Sequence, residues 1–365
     1  MGCVPTVVIA AGGTAGHVVP ALAVADALRA EGAEVSFVGT RERAEAELVP
    51  QAGYEIDFLA VSGIDRKNPF RAAAALSRAA AAIPAAAAIL RRRCADVVMG
   101  GGGYVAAPVG LAARARGLPL ILTEADSHLG ITNRALARTA RRVCLAFDLD
   151  GRKPPRYRVT GRPIDARIGT IDRAAGRAEL GLPEGGRCLL VFGGSLGART
   201  INRACLAAHV GPDAPAAKRD YQVLHVAGKR DFAELRAALR GPGSDRYSIV
   251  EYLPGLAGAL AATDLVLARS GGSVFELAAA GCAAILVPYP HATADHQTGN
   301  AAWMSDAGAA EVIDDAAIDA ASVAATVARI FADPDRLAAM AAASRSLARP
   351  EAANEIAAEI LAASR

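Results

Sequence analysis

Residues 7–23 read VVIAAGGTAGHVVPALA, in which a β-branched run passes directly into a glycine turn and then into a helical segment. Glycines in such a turn allow positive φ angles and let the backbone approach a ligand closely. The free N–H groups at the start of the helix favour an anion or an electron-rich oxygen. The stretch predicts the opening strand–turn–helix unit of an α/β domain with a binding loop.

The same pattern occurs again at residues 188–198, which read CLLVFGGSLGA. Short apolar runs alternate with alanine-rich stretches along the whole chain. Further strands are predicted at residues 35–38, 96–99, 120–122, 222–226, 264–268 and 284–287. This alternation is typical of right-handed βαβ units and parallel sheets. We therefore predict an α/β protein with two Rossmann-like parallel-sheet domains.

The joint between the two domains is predicted at Gly161-Arg162-Pro163, after the polar, proline-containing stretch 150–158. This places an N-terminal domain at residues 1–161 and a C-terminal domain at 162–345. Alanine is a strong helix former, so the tail 335–363 is predicted to be helical, and Pro350 to divide it. The helix at about 346–365 is expected to pack back on the N-terminal domain.

Composition excludes several classes of protein. The 365 residues are 53% hydrophobic and 21% charged with a formal net charge of +3, which is not typical of a disordered chain or of a nucleic-acid-binding protein. About a quarter of the residues are alanine, and no window reaches the roughly 18 uninterrupted apolar residues of a spanning helix. The six cysteines lie far apart, which argues against zinc and disulfides and indicates core thiols in a reducing cytoplasm.

Two further glycine clusters follow predicted strands. One is Gly100–Gly103 with Tyr104, and the other is the segment 269–273, which precedes Glu276 by about one helical turn. Two loops in the C-terminal half suit a diphosphate held by backbone N–H groups, and the carboxylate of Glu276 would accept two ribose hydroxyls. Ligands bind at the carboxyl edge of open α/β sheets, so all four clusters are expected to face one crevice between the domains.

The ordered set of motifs resembles glycosyltransferase family 28, the N-acetylglucosaminyltransferases of peptidoglycan synthesis. The motifs that carry the resemblance are residues 12–23, 39–40 with Arg43 and Glu45, 48–50, 62–63, 101–105, 130–134, 193–198, 227–229, 269–272 with Glu276, and 295–297 with 300–301. One of these motifs alone would be weak, but their order along nearly the whole chain is specific.

The resemblance implies a GT-B fold, with two Rossmann-like domains facing a cleft, and an inverting transfer that needs no metal or other cofactor. The donor would be UDP-GlcNAc, and the acceptor the MurNAc 4-hydroxyl of lipid I, a polyprenyl-diphosphate-linked MurNAc-pentapeptide, giving lipid II. The protein would lie peripherally at the cytoplasmic face of the cell membrane. Its partners would be an anionic membrane surface and a cell-wall synthesis complex, linking it to cell shape and the division cycle, and no nucleic acid.

Site residues follow from the resemblance, position by position. The catalytic candidates are His17, Glu124 and Asp126. The UDP-GlcNAc contacts would be Thr14, Gly16, Arg162, Gly194, Ser195, Tyr252, Leu253, Gly271, Gly272, Ser273, Glu276, His296, Gln297 and Asn300. The acceptor side would comprise Gly13, Gly103, Tyr104 and Asn133.

Two segments depart from the family pattern. The usual His-Glu-Gln-Asn reads Thr123-Glu124-Ala125-Asp126, and an ionised aspartate accepts hydrogen bonds but cannot donate them. Both His17 and Asp126 are therefore candidates for the general base. The usual Gly-Asn-Pro-Val-Arg reads Gly161-Arg162-Pro163-Ile164-Asp165, which leaves open whether Arg162 replaces the arginine absent at Asp165.

The stretch 66–93 mixes apolar and basic residues and includes Arg91-Arg92-Arg93. One interpretation is a basic amphipathic surface that docks on anionic lipids, and the other is an alanine-packed helix pair with solvated arginines. The rival functions are a GT-B transferase with a different acceptor, a UDP-GlcNAc 2-epimerase on the same architecture, and a nucleotide-sugar-binding module without catalysis.

Overall fold

The structure is a computed structural model that describes residues 4–63, 68–194, 196–292 and 295–364, apart from the side chains of residues 69, 71 and 72. The chain divides into two compact units. The N-terminal unit comprises Met1–Ile164 and Arg349–Arg365, and the C-terminal unit comprises Asp165–Ala348.

The N-terminal unit alternates strands and helices. Its strands are β1 (Thr6–Ala10), β2 (Glu34–Gly39), β3 (Glu55–Phe58), β4 (Val97–Gly100), β5 (Leu120–Glu124), β6 (Arg142–Leu145) and β7 (Tyr157–Val159). The helices between them are α1 (Ala15–Ala30), α2 (Glu45–Gln51), α3 (Pro69–Ala81), α4 (Ile83–Arg92), α5 (Ala106–Ala115) and α6 (Ile131–Leu136).

The C-terminal unit repeats this alternation. Its strands are β8 (Cys188–Phe192), β9 (Gln222–Val226), β10 (Tyr247–Val250), β11 (Leu265–Ala268), β12 (Ala283–Leu286) and β13 (Ala310–Val312). Its helices are α7 (Arg173–Glu179), α8 (Arg199–His209), α9 (Phe232–Ala238), α10 (Ala257–Ala262), α11 (Val274–Ala280), α12 (His296–Asp306), α13 (Ala320–Phe331) and α14 (Pro334–Ser346). A further helix, α15 (Ala352–Ala363), belongs to the N-terminal unit.

Both sheets are parallel and doubly wound, as predicted. The strand order is β3-β2-β1-β4-β5-β6-β7 in the N-terminal unit and β10-β9-β8-β11-β12-β13 in the C-terminal unit. The order therefore reverses between β1 and β4 in one sheet and between β8 and β11 in the other. Successive strand side chains point to opposite faces, so Val7 and Ile9 pack against α1 while Val8 and Ala10 pack against α5.

The predicted central strands are confirmed, and the unpredicted strands lie toward the sheet edges. β3 carries Glu55 and Asp57 and has no fully buried residue, so it lacks the continuous apolar run that marks the central strands. β7 and β13 have three residues each, which is too short for a visible alternation. The first helix begins at Ala15, because the glycine turn itself enters the helix.

The tail forms two helices, α14 and α15, on either side of Pro350, as predicted. Within the N-terminal unit, Ile356 and Ile360 of α15 are buried in the same apolar cluster as α1. Glu359 pairs with Arg142 at 2.7 Å and with Arg158 at 2.8 Å. This helix therefore completes the core on the α1 face of the sheet.

Within the described residues, one helical stretch, Ala73–Arg92, is long and apolar enough by length and composition to cross a membrane. Its mean hydropathy is 1.6 and 28% of it is buried. The stretch consists of α3 and α4, and one face of α4 joins the core through Ile89 and Leu90. Among the described cysteines, Cys94 is exposed, contrary to the prediction of buried thiols, because it follows the end of α4 at the surface.

Candidate active site

Two glycine loops of the N-terminal unit meet where the strand order reverses. They follow the neighbouring strands β1 and β4. A Cβ atom built on Gly103 would lie 2.1 Å from the carbonyl oxygen of Gly12, so only glycine permits this approach. The ring of Tyr104 lies against Gly13. The structure thus brings together Gly13, Gly103 and Tyr104, which were predicted on the acceptor side, at the edge where such sheets bind ligands.

His17 lies half-buried in the first turn of α1. Its Nδ1 atom is 3.3 Å from Oγ1 of Thr14, and its ring edge lies against Gly102. When Nδ1–H donates to the threonine hydroxyl, the opposite nitrogen, Nε2, carries no proton and can accept one. In that tautomer, the imidazole is able to act as a base through Nε2.

Three charged side chains act on His17 in addition to burial. Burial lowers the pKa of the imidazole most, and the Arg162 guanidinium also lowers it, while the carboxylates of Asp126 and Glu45 raise it. The net effect is a pKa below the usual 6.5. The ring is therefore neutral at pH 7, which is the protonation state that a general base needs.

Glu124 ends β5 and is only 7% exposed. Its Oε2 atom accepts hydrogen bonds from Gly130 N–H at 2.8 Å and from the Asn133 side chain at 2.9 Å, and its Oε1 atom accepts one from Asp126 N–H at 3.3 Å. Burial raises the pKa of this carboxyl group. Glu124 and the buried Asn133 thus shape the loop that carries Asp126. Their contacts with substrate stay a prediction.

Arg162 braces the first glycine loop. One amino group donates to the carbonyl oxygen of Gly16 at 2.6 Å, and the other donates to Ala125 O at 3.1 Å. Pro20 lies inside α1 and has no N–H, so it cannot supply the helical hydrogen bond that Gly16 O would otherwise accept. Arg162 takes that place and joins the glycine loop to the loop that follows β5.

An amide of α8 holds the loop that follows β9, and Gly197 of the glycine loop between β8 and α8 approaches that loop closely. The Asn202 side chain donates to Ala227 O at 2.8 Å and to Asp231 Oδ2 at 3.0 Å. Asp231 pairs with Arg230 at 2.9 Å and with Arg199 at 3.3 Å, and Arg230 is the main cause that lowers its pKa to about 2. Among the predicted donor residues here, Gly194 lies on the glycine loop, and Ser195 lies outside the described residues.

The loop after β11 and the start of α12 are tied together. Ser270 Oγ donates to Gln297 O at 2.7 Å, and the Asn300 amide donates to Ser270 O at 2.9 Å. Gln297 Oε1 accepts Tyr289 N–H at 3.0 Å. The predicted residues Gln297 and Asn300 therefore lie next to the predicted loop Gly271-Gly272-Ser273, and Asn300 is buried beneath it.

The other predicted donor residues differ in exposure. The Tyr252 side chain is 50% exposed, which leaves a ring face available for stacking, and Leu253 beside it is half-buried. Glu276 lies in the first turn of α11 and is half-buried, as is His296 at the start of α12. Thr14, Gly16 and Arg162 were also predicted to contact the donor, and all three belong to the N-terminal unit.

The described residues contain no group of three or more His, Cys, Asp or Glu side chains that would hold a metal ion. The sequence did not predict the roles of the side chains that hold the loops, namely Glu45, Asn202 and Asp231. Glu45 stood in a recognised motif, but its partner Gly13 is 32 positions away in sequence. Only the fold shows that contact.

Comparison with known proteins gives matches over nearly the whole chain. Residues 7–145 match the glycosyltransferase family 28 N-terminal domain, and residues 188–356 match the family 28 C-terminal domain. A relative from Halorhodospira halophila is 44% identical over 97% of this chain and 97% of its own. It is named UDP-N-acetylglucosamine–N-acetylmuramyl-(pentapeptide) pyrophosphoryl-undecaprenol N-acetylglucosamine transferase.

Solved structures give the same fold. MurG of Acinetobacter baumannii superposes with a TM-score of 0.77 at 28% identity, covering 98% of this chain and 99% of its own. The UDP-GlcNAc 2-epimerase of Neisseria meningitidis, bound to UDP-GlcNAc, reaches a TM-score of 0.68 at 14% identity, covering 98% of this chain and 99% of its own, which shows the fold alone. From the matches to both family domains and the full-length identity, the chain belongs to glycosyltransferase family 28.

Proposed function

We propose that this enzyme transfers GlcNAc from UDP-GlcNAc to the MurNAc 4-hydroxyl of a lipid-linked MurNAc-pentapeptide, in peptidoglycan synthesis. The observation that carries the proposal is the 44% identity, over 97% of both chains, to a transferase named for that reaction. The glycine loops support it, because each unit places them where its strand order reverses. Such identity favours this acceptor over a different one and favours transfer over epimerisation.

The C-terminal unit would bind the donor. Glu276 would accept hydrogen bonds from both ribose hydroxyls, and the loop Gly271-Gly272-Ser273 would hold the diphosphate through N–H groups. The exposed ring of Tyr252 would stack on uracil. Gln297 and His296 would contact the GlcNAc hydroxyls.

The N-terminal unit would supply the base. His17 Nε2 would take the proton from the MurNAc 4-hydroxyl as that oxygen forms a bond to GlcNAc C1. The bond from C1 to the UDP oxygen breaks, and the configuration at C1 inverts. A general base of this kind contributes about 10²–10⁴ in rate. Asp126 is the alternative base, but its charge also stabilises the imidazolium that His17 would become.

The transfer would proceed without a metal ion or other cofactor. The negative charge that grows on UDP would be stabilised by backbone N–H groups of the glycine loops and by the N-terminal turn of the helix that follows. Preorganised N–H groups of this kind need no reorganisation as the charge develops. Activity that persists in excess EDTA is the expected result, and loss of activity restored by a divalent cation would contradict it.

The protein would dock peripherally on the anionic cytoplasmic face of the membrane through α3 and α4. Phe70 is 86% exposed and Leu76 is 57% exposed, so this surface presents apolar side chains next to Arg78. A cation near an anionic surface contributes about 1 kcal/mol to binding. This position would bring the enzyme to its lipid-linked acceptor, to a cell-wall synthesis complex, and so to growth and division of the cell.

Two arginines of the triplet 91–93, which was predicted to contact lipid, form ion pairs within the protein. Arg92 and Arg93 pair with Asp57 at 2.6 Å and 2.7 Å, and Arg93 also pairs with Glu55. These ion pairs neutralise much of the local charge, so Arg92 and Arg93 would contribute less than predicted. Arg66 and Lys67 lie outside the described residues, as does the side chain of Arg71.

A transfer assay tests the function. The purified protein is incubated with UDP-GlcNAc and a lipid I analogue, and UDP release is measured together with the disaccharide product. We expect both, in equal amounts. UDP-ManNAc formed without acceptor would indicate an epimerase, donor binding without turnover would indicate a binding module, and turnover only with another acceptor would indicate a different transferase.

Co-sedimentation with vesicles of phosphatidylglycerol and phosphatidylcholine tests the membrane proposal. The double variant Phe70→Ser, Leu76→Ser should lose vesicle binding while keeping its thermal stability, because both side chains are exposed. Val312→Ser, which changes an apolar side chain that is 42% exposed in the C-terminal unit, is the matched control. Undiminished binding of the double variant would overturn docking through α3.

A further inference from the structure

Glu45 is a fully buried carboxylate beside the first glycine loop. It begins α2 and has no exposed surface. A buried charge is costly unless hydrogen bonds and nearby charges compensate it. No salt bridge to Glu45 exists within the described ranges, so its compensation comes from hydrogen bonds.

Those hydrogen bonds come from the loop and from the end of β2. Glu45 Oε2 accepts Gly13 N–H at 2.9 Å, and Oε1 accepts Thr40 N–H at 3.0 Å and the Thr40 hydroxyl at 2.7 Å. A Cβ on Gly12 would lie 2.5 Å from Oε1, so the loop is shaped around this carboxylate. Gly13 is four residues before His17, and the carboxylate therefore holds the backbone that leads into the His17 turn.

The charge of Glu45 also reaches the imidazole. The charged groups that face His17 are Asp126 on the loop after β5, Arg162 after β7, and Glu45 on α2. The two carboxylates raise the pKa of His17 against the lowering by burial and by Arg162. A nearby negative charge stabilises the imidazolium that forms when the ring takes a proton.

We propose that Glu45 is a positioning residue for the transfer: it fixes the Gly12-Gly13 turn and supplies an anion that stabilises protonated His17. The proposal rests on the proposed function, because it assigns His17 as the base. Glu45 itself touches no substrate and acts through the loop and the imidazole. The carboxylate of Glu45 is buried and has no ion-pair partner among the described residues. The two roles together, and neither one alone, explain why a charged group occupies this position.

Two variants separate geometry from charge. Glu45→Gln keeps the shape and the bonds from Thr40, but it removes the charge and turns an N–H group toward Gly13 N–H. Glu45→Asp keeps the charge but withdraws the carboxylate by one methylene. Glu47→Gln, on the exposed face of the same helix, is the matched control, because Glu47 contacts only Gln51 through its side chain among the described residues.

The first measurement is kcat against pH, with KM for UDP-GlcNAc measured alongside. Glu45→Gln should lower kcat about 10- to 100-fold through misplacement of the base. Its acidic inflection should move to lower pH, because an anion that raises the pKa of His17 is gone. Glu45→Asp should lower kcat without moving the inflection, Glu47→Gln should change neither, and KM for UDP-GlcNAc should stay constant throughout.

The second measurement does not need activity. Titration of the histidine ring signals by NMR, with His17→Ala to assign the His17 signal, should show a lower pKa for His17 in Glu45→Gln than in wild type or Glu45→Asp. If the titration shifts but neither the variants nor the wild type transfer GlcNAc, the proposed function fails while the electrostatic influence of Glu45 on His17 stands.

Several outcomes would overturn the proposal. One is a folded Glu45→Gln variant with the wild-type kcat and inflection. Another is equal loss of kcat in Glu45→Gln and Glu45→Asp with an unmoved His17 titration, which would indicate a merely structural carboxylate. If Glu45→Gln fails to fold, Glu45→Asp decides: wild-type kcat overturns the proposal, and a loss of at least about tenfold in kcat with unchanged melting temperature and unchanged KM for UDP-GlcNAc supports it.

Discussion

The two units support their equivalent glycine loops differently: a side chain binds the loop itself in the N-terminal unit and the neighbouring loop in the C-terminal unit. In the N-terminal unit, a carboxylate accepts a loop N–H group, since Glu45 binds Gly13 N–H. In the C-terminal unit, the Asn202 amide of α8 donates to Ala227 O in the loop after β9, which lies beside the glycine loop. The first arrangement consumes a loop N–H group that would otherwise attract an anion, while the Asn202 amide takes up no N–H group of the glycine loop.

The carboxylates behind the two loops also differ in whether a salt bridge compensates their charge. Glu45 is buried without a salt bridge in the described part of the chain, whereas Asp231 behind Asn202 is paired with Arg199 and Arg230. An anion without an ion-pair partner stabilises an imidazolium but repels a diphosphate. The same strand–glycine–helix unit therefore serves a proton acceptor or a phosphate, according to the side chains that support it.

The largest expected effect tests the role of the N-terminal loop. His17→Ala should lower kcat about 10²–10⁴-fold, because it removes the general base, while UDP-GlcNAc binding measured by calorimetry stays unchanged. Asp126→Asn is the companion variant and should reduce kcat less. Near-full turnover by His17→Ala together with loss of activity in Asp126→Asn would assign the base to Asp126. It would contradict the role of the N-terminal loop in holding an imidazole base.

A charge placed on α8, beside the C-terminal glycine loop, should have the next largest effect. Asn202→Asp removes the donor to Ala227 O and sets a second carboxylate beside Asp231, so we expect a lower melting temperature and a KM for UDP-GlcNAc raised about 10- to 100-fold. The effect on KM should exceed any effect on kcat.

The control for that substitution is Asn354→Asp, the same chemical change at an exposed position of α15. It should leave both melting temperature and KM unchanged. Wild-type KM in a folded Asn202→Asp variant would show that the charge of the supporting side chain does not matter to the donor loop.

The smallest effect is expected from the surface arginine beside Asp231. Arg230→Ala removes the main group that lowers the Asp231 pKa, so the carboxylate is less compensated. UDP-GlcNAc binding should weaken by up to about fivefold at low salt, because an exposed ion pair contributes only about 0.2–1 kcal/mol. Arg203→Ala, which breaks the exposed pair with Glu234, is the control and should not alter binding.

The stability of the same site should depend on pH in a defined direction. The folded pKa of Asp231 is about 2, below its usual 3.8, so its ion pairs stabilise the fold above about pH 4 and lose that effect as pH falls toward 2. In a plot of melting temperature against pH, Asp231→Asn should therefore fall less steeply than wild type between those pH values. A slope equal to that of wild type would contradict the pairing.

The sequence predicted the central strands and the glycine loops because their signals are local. A strand such as β8 is a continuous apolar run that ends in glycines, and both features lie within about ten residues. β3 escaped prediction because Glu55 and Asp57 interrupt its apolar pattern at the sheet edge. Pattern arguments therefore work best where a strand is buried on both faces.

The hydrogen bonds that support the glycine loops were not predicted, for a different reason. Glu45 and Gly13 are separated by 32 positions, and Asn202 and Asp231 by 29, so no local pattern links them. Arg162 was predicted to contact UDP-GlcNAc, and its hydrogen bond to Gly16 O, a carbonyl oxygen that Pro20 leaves without its helical donor, was not predicted. These roles depend on which loops the parallel sheet places side by side.

The position of α15 in the chain has a consequence for synthesis on the ribosome. Its buried residues complete the core over α1, yet it follows the whole of Asp165–Ala348 in sequence. At about 5–20 residues per second, the C-terminal unit is made over a delay on the order of ten to forty seconds before α15 emerges. The unit that starts first is therefore finished last, and during that delay the apolar face of α1 is where a chaperone or an aggregating neighbour would bind.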